Sequence, residues 1–188
     1  NKYISKIILA SDNIENLRLG KKLGIDILIK RPLSLSKKFF TIEDILRYVL
    51  KNFLKQNNEV PGIVIYSSVN NLFRKKKLFD KLRQHLISGN FTKVLPSVVD
   101  YRSIWKKNRN SLERIDFGTI PTNFKKGINI GLSGLGIAFD VESLMNDESE
   151  KNVGLIEVNN FSSSIDLNTQ DGIDLTNNSI EKWLEKNK

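Results

Sequence analysis

Val153-Gly154-Leu155-Ile156-Glu157-Val158 runs on towards Ser164-Ile165-Asp166-Leu167-Asn168-Thr169-Gln170-Asp171, and the reading of these two stretches decides the fold. The first alternates apolar residues in the manner of a strand. The second strings acidic, amide and hydroxyl side chains beyond the strand's end, and a helix-like pattern follows from Ile173 to Lys186. A strand that ends in such side chains is a usual place for a site in an open α/β sheet. Carboxylate oxygens there suit a hard cation such as Mg²⁺, which in turn holds phosphates.

Working outward, the same alternation fills the chain. Lys6 to Ala10 is a buried-type strand, and Ser11 or Asp12 is placed to cap a helix from Ile14 to Leu23 that stops at Gly24. Ile25 to Ile29 is a strand closed by Arg31-Pro32. Thr41 opens an amphipathic helix through Leu54, with Ile42, Ile45, Leu46, Val49, Leu50 and Phe53 on one face. Ile63 to Tyr66 is a strand, Lys75 to Ile87 a helix ended by Gly89-Asn90, and Lys93 to Val99 a further strand. Residues 100–129 break the rhythm: they are polar and basic with isolated aromatics at Tyr101, Trp105, Phe117 and Phe124, and read as an insertion of short strands and loops. Gly131 to Phe139 returns as strand, and Val141 to Met145 is a short helix. The pattern predicts one α/β domain over residues 1–188, with a mostly parallel sheet flanked by helices in three layers.

Composition removes several function classes. The 188 residues contain no cysteine, which excludes disulfides and thiolate catalysis and fits a cytoplasmic protein. His85 is the single histidine, so a histidine metal cluster is excluded. No apolar run approaches the ~20 residues of a membrane span, and no membrane partner is expected. The net charge is +9, but the lysines are scattered. Their densest run, Arg74-Lys75-Lys76-Lys77, opens a helical segment and reads as a solvated face, so no nucleic-acid partner is expected. A positive field of this kind suits a small polyanion such as a nucleoside triphosphate.

The 164–171 octet resembles the S-I-D-I-D-T-P-E-D segment of the acylneuraminate (CMP-N-acetylneuraminic acid synthetase-like) cytidylyltransferases. Other pieces resemble the family in the same order along the chain. Ile8 to Glu15, with Lys21 to Gly24, is similar to I-V-S-T-D-D-E-E-I and K-K-Y-G. Arg31-Pro32 is similar to the family's R-P, and Thr41 to Leu46 to its S-T-I-D-V-I-L helix start. Ile65 to Arg74 lies where the family has L-L-Q-P-T-S-P-L-R, and Gly134 to Leu144 resembles N-G-A-I-Y-I-F-R-R-E-S-L-L.

The resemblance implies a nucleotide-diphospho-sugar transferase-like fold in which the 100–129 insertion makes a homodimer. It implies a CMP-sugar synthetase that joins CMP from CTP to an acidic nine-carbon or related sugar for surface polysaccharide synthesis. Asp166 and Asn168 would hold Mg²⁺, Asp166 and Arg74 would be catalytic, Arg31 and Thr41 would face the nucleotide, and Ser68 and Asn70 the sugar. The departures imply an alternative, a diverged and catalytically inactive relative acting as a binding or regulatory partner. No stretch here matches the family's first strand and its L-A-A-R-x-x-S-K-x-x-x-x-K-N phosphate loop. Only Arg74 remains of Q-P-T-S-P-L-R. Asn168 stands where the family has its second aspartate, and one carboxylate holds Mg²⁺ more weakly than two.

Overall fold

The structure is a computed structural model that describes residues 3–37, 39–57, 59–116, 118–159 and 161–186. Its contacts divide the chain into two compact units, Asn1–Val64 with Asp140–Ser149, and Ile65–Phe139 with Glu150–Lys188.

In the first unit, strands β1 (Ile8–Ser11) and β2 (Ile27–Lys30) pair in parallel, and helix α1 (Ile14–Lys22) connects them. Such a β-α-β connection is what parallel pairing requires. Asn13, rather than Ser11 or Asp12, caps α1: its side-chain oxygen accepts from the Glu15 amide at 2.8 Å. The Ser11 hydroxyl instead accepts from the Asn13 amide at 3.1 Å. Helix α2 (Ile42–Gln56) buries Leu46, Val49, Leu50 and Phe53, the stripe expected from the sequence. Each such side chain contributes roughly 1.5–3 kcal/mol when fully buried. The short helix α4 (Val141–Met145) lies against α2, where Arg47 Nε donates to the Leu144 carbonyl at 2.8 Å and the guanidinium also pairs with Asp147.

The second unit is built on strand β4 (Lys93–Asp100). Strand β9 (Val153–Glu157) pairs with it in parallel along one edge. Strands β7 (Ile128–Gly131) and β8 (Ile137–Asp140) run antiparallel to it along the other. Strand β3 (Ile63–Tyr66) follows β8, giving the order β3-β8-β4-β7 with β9 on β4. The chain passes between the units within β3 and at the end of β8. The sheet is therefore mixed rather than mostly parallel. The cause is the return from β4: no crossover helix intervenes, so the chain comes back antiparallel. The glycine stretch 131–136 is not one strand either. It leaves the ladder in a turn over 133–135, between β7 and β8. Helix α3 (Leu78–Ser88) buries Leu78, Leu82 and Leu86, and helix α5 (Gln170–Lys186) closes the chain. Phe73 stacks edge-on against Trp183 of α5 with ring centroids 5.6 Å apart. No helix among the described residues is long and apolar enough to cross a membrane.

Residues 100–129 form short strands and loops, as expected. Strands β5 (Trp105–Lys107) and β6 (Leu112–Arg114) make an antiparallel hairpin. Asp116, its side chain 4% exposed, ties the base of the segment together. It accepts from the Arg114 guanidinium, from the Ile104 amide at 3.2 Å and from Lys125 Nζ at 3.3 Å. The bond from Arg114 is the main reason that the Asp116 carboxyl is held well below the usual carboxylate range. Arg114 also lies over the Trp105 ring, 5.4 Å from its centroid. Phe117 falls outside the described residues. Trp105, Leu112, Ile115 and Phe124 are exposed, Phe124 by 74%.

Candidate functional site

Past β3 the chain enters a loop over residues 67–74, and past β9 it enters a turn over 165–169. The structure brings the two together within the second unit. The Leu167 amide donates to the Asn70 carbonyl at 3.0 Å. Beside that bond, Asn70 Nδ2 donates to Asn168 Oδ1 at 2.8 Å. One residue on, Asn71 Nδ2 reaches the Ile165 carbonyl at 3.4 Å, and Ser163 Oγ reaches the Phe73 carbonyl at 3.4 Å. Ser68, Asn70, Arg74, Asp166 and Asn168, five residues that sequence reasoning placed in one site, are thus neighbours in one loop pair.

Within the turn, Asp166 Oδ1 accepts from the Asn168 amide at 3.0 Å. This is the local bond by which aspartate favours turns. Thr169 follows as the cap of α5, its Oγ1 accepting from the Gly172 amide at 3.1 Å and donating to the Asp166 carbonyl at 3.3 Å. Gly172 is required here: a Cβ on it would sit 1.9 Å from the Asp166 carbonyl oxygen. The backbone of α5 can approach the turn only because that atom is missing. The second oxygen of Asp166, Oδ2, makes no hydrogen bond among the described residues.

The loop is fastened from its other side by the turn that follows β7. The Ser68 amide donates to the Gly134 carbonyl at 3.0 Å. Arg74 Nε donates to the Leu135 carbonyl at 2.9 Å, and its Nη2 donates to the Ser68 carbonyl. Burial lowers the Arg74 pKa from its ordinary value. Arg74 was expected to act on substrate, yet these donors are spent on backbone carbonyls. In the structure it braces the loop on which Ser68 and Asn70 sit. Ser68 Oγ accepts from the Asn70 amide at 3.2 Å.

The two nucleotide-side candidates lie in the first unit. Arg31 follows β2, its amide bonded to the Ser11 carbonyl at 2.9 Å and its Nη2 3.7 Å from Asp12 Oδ1. Among the described residues its Nε is buried without a hydrogen-bond partner. The Ser36 hydroxyl donates to Asp12 and is the main reason that this carboxyl sits below its ordinary pKa. Thr41 is the cap of α2. Its Oγ1 accepts from the Asp44 amide at 3.1 Å, while Asp44 accepts from the Thr41 amide at 2.9 Å. A capping pair of this kind contributes about 1 kcal/mol to the helix.

Sequence reasoning missed Asp12 and Ser36 as partners around Arg31, Asn71 and Gly134 as fasteners of the loop, and Thr169 as the cap. The Thr169 signal was present, because a hydroxyl residue just before an amphipathic run is a start signal. The others depend on contacts far apart in sequence.

Among the described residues no group of three or more His, Cys, Asp and Glu side chains is placed to hold a metal ion. Mg²⁺ asks for near-octahedral oxygen ligands, commonly with one or two carboxylates. Here Asn168 Oδ1 faces the Asn70 amide and Asp166 Oδ1 faces a backbone N–H, which leaves Asp166 Oδ2 as the turn's single unspent carboxylate oxygen among the described residues. This donor set does not fit a resident Mg²⁺.

No protein-family model matches the chain, and no curated protein matches it. Among solved structures, its fold is similar to that of 4-diphosphocytidyl-2C-methyl-D-erythritol synthase from Anaerococcus prevotii. The TM-score is 0.63 and the identity 15%, over 95% of this chain and 79% of that one. The mixed α/β architecture is therefore shared with a synthase whose product carries a diphosphocytidyl group.

Proposed function

We propose that this chain is a cytidylyltransferase-type domain of the acylneuraminate kind, which takes CTP and an acidic nine-carbon or related sugar. The observation that carries the reading is the meeting of the 67–74 loop with the Asp166 turn, which joins sugar-side hydroxyl and amide groups to one unspent carboxylate oxygen. The fold likeness to a diphosphocytidyl synthase supports the cytidine part.

In the proposed reaction the sugar's anomeric hydroxyl oxygen bonds to the α-phosphorus of CTP. The bond from that phosphorus to the bridging oxygen breaks, and pyrophosphate leaves. The hydroxyl proton passes to Asp166 Oδ2. Ser68 and Asn70 orient the sugar, and Arg74 positions both by holding their loop. Arg31 and Thr41 are the residues proposed to contact the nucleotide. Catalysis of this class is mostly positioning and charge stabilisation.

Calorimetric titration of the protein with CTP, UTP, ATP and GTP tests the reading. CTP should bind tighter than each of the others by about tenfold or more, equivalent to about 1.4 kcal/mol. Equal affinity for all four overturns it.

A second reading, a diverged relative that binds without turning over, is favoured by two observations. Asn168 is neutral and occupied by Asn70, and Arg74 is occupied by carbonyls. Cytidine preference without pyrophosphate release, across a panel of acidic sugars, would select it.

Both readings include a homodimer through residues 100–129. Exposed apolar side chains gathered in one segment mark interfaces, and Trp105, Leu112, Ile115 and Phe124 are gathered there. Light scattering at micromolar concentration should give twice the 21.5 kDa chain mass. A monomer mass that Trp105→Ala and Phe124→Ser leave unchanged would remove this interface.

A further inference from the structure

We infer that the Asp166 turn is held against the 67–74 loop by an amide latch, Asn70 to Asn168, and that this latch stands in place of a divalent cation. The inference concerns how the turn is held, and it stands whether or not the proposed reaction occurs.

The resemblance assigns two side chains of the turn, Asp166 and Asn168, to a cation, and one oxygen of each is engaged. Asn168 Oδ1 accepts from Asn70 Nδ2 at 2.8 Å, and Asp166 Oδ1 accepts from the Asn168 amide at 3.0 Å. The backbone bond from Leu167 to Asn70, 3.0 Å long, lies alongside and fixes the register of the two segments. An amide N–H donor pointing at an oxygen does for that oxygen what a cation would do, at no cost in charge. A cation using Asn168 Oδ1 as a ligand would have to compete with the Asn70 donor, and would gain only the single carboxylate of Asp166 in return. Mg²⁺ gives up its water reluctantly, and weak sites have few charged ligands. The latch therefore wins. The loop and the carboxylate keep their arrangement without any metal.

The latch predicts which substitution creates a cation site. Asn168→Asp keeps an oxygen acceptor for Asn70 Nδ2 and adds a second negative charge beside Asp166. Asn70→Ala removes the donor to Asn168 Oδ1, so the latch is lost, whereas Asn70→Asp lets Asn168 turn its amide and donate in the other direction.

Two measurements on the full chain, without nucleotide, test this. The first is Mn²⁺ titration followed by electron paramagnetic resonance. The unsubstituted chain should show no Asp166-dependent binding below about 1 mM, while Asn168→Asp should bind about tenfold tighter or better, since affinity follows ligand charge count. The second is amide hydrogen exchange at residues 67–71 and 166–168. Exchange should be the same with EDTA as with Mg²⁺, and Asn70→Ala should raise it about tenfold through local opening, with the far-ultraviolet spectrum unchanged. Asn70→Asp, which can accept from a turned Asn168 amide, should raise it less in the same segments. Submillimolar Mn²⁺ binding to the unsubstituted chain that Asp166→Ala abolishes would overturn the inference. So would exchange that rises on adding EDTA, or exchange that Asn70→Ala leaves unchanged.

Discussion

Pyrophosphate release from CTP and an acidic sugar is expected to fall by ~10²–10⁴ when Asp166 is replaced by asparagine, the range a positioned general base supplies. The substitution is chosen to separate chemistry from structure. Asp166 Oδ1 holds the turn by accepting from the Asn168 amide at 3.0 Å, and an asparagine side-chain oxygen accepts the same bond. What is lost is Oδ2, which makes no hydrogen bond among the described residues and is the oxygen assigned to the sugar's proton. Turnover should drop while CTP affinity and melting temperature stay near those of the unsubstituted chain. Asp166→Ala should lose turnover as well, but with faster hydrogen exchange at 166–168, because the turn then lacks its acceptor. An active chain whose rate Asp166→Asn leaves unchanged would remove Asp166 from the chemistry.

The parts of this fold legible in the sequence are those set by local pattern. The apolar stripe of α2 and the bounds of α4 match the structure because periodicity and caps lie within a few residues of what they control. Strand direction was not legible. An apolar run such as Lys93 to Val99 has the same sequence whether its neighbour is parallel or antiparallel, and only the chain's route back from β4 decides. Helix α3 begins at Leu78 rather than Lys75, because Lys77 takes a left-handed conformation with φ 67°. Arg74 just before it is tied to the Leu135 carbonyl. Nothing local announces that tether.

The candidate site divides in the same way. Asp166, Asn168, Ser68 and Asn70 could be nominated from residue type and order, and the structure sets them side by side. The bracing contacts of Arg74 could not be read. A guanidinium in a loop has the same sequence signature whether or not it meets a backbone carbonyl, and the partner of Arg74 Nε lies 61 positions away. The Asn70–Asn168 bond spans 98 positions and was equally hidden.

Gly172→Ala is expected to destabilise the protein by ~1–3 kcal/mol, the cost of forcing a methyl group into a filled space. The sign runs against helix propensity. Glycine inside a helix is ordinarily worse than alanine by roughly 0.5–1 kcal/mol, so helix propensity alone would make the change stabilising. At 172 the new Cβ meets the Asp166 carbonyl oxygen at 1.9 Å and Thr169 Oγ1 at 2.9 Å. The first contact is backbone and cannot rotate away. Either α5 shifts or the Asp166 turn opens, and both disturb the Thr169 cap and the latch beyond it. Gly134→Ala is the matched comparison. Its Cβ also falls 1.9 Å from an oxygen, but that oxygen belongs to the Asn71 side chain. Asn71 can turn aside at the cost of its 3.4 Å bond to the Ile165 carbonyl, a loss of about 0.5–1.5 kcal/mol. Urea unfolding of the two variants should therefore rank Gly172→Ala as the more damaging. Its hydrogen exchange should rise at 166–172 first, since the displaced atom is there. A Gly172→Ala chain as stable as the unsubstituted one would mean that α5 does not pack against the Asp166 carbonyl, and the geometry assigned to the turn would fall with it.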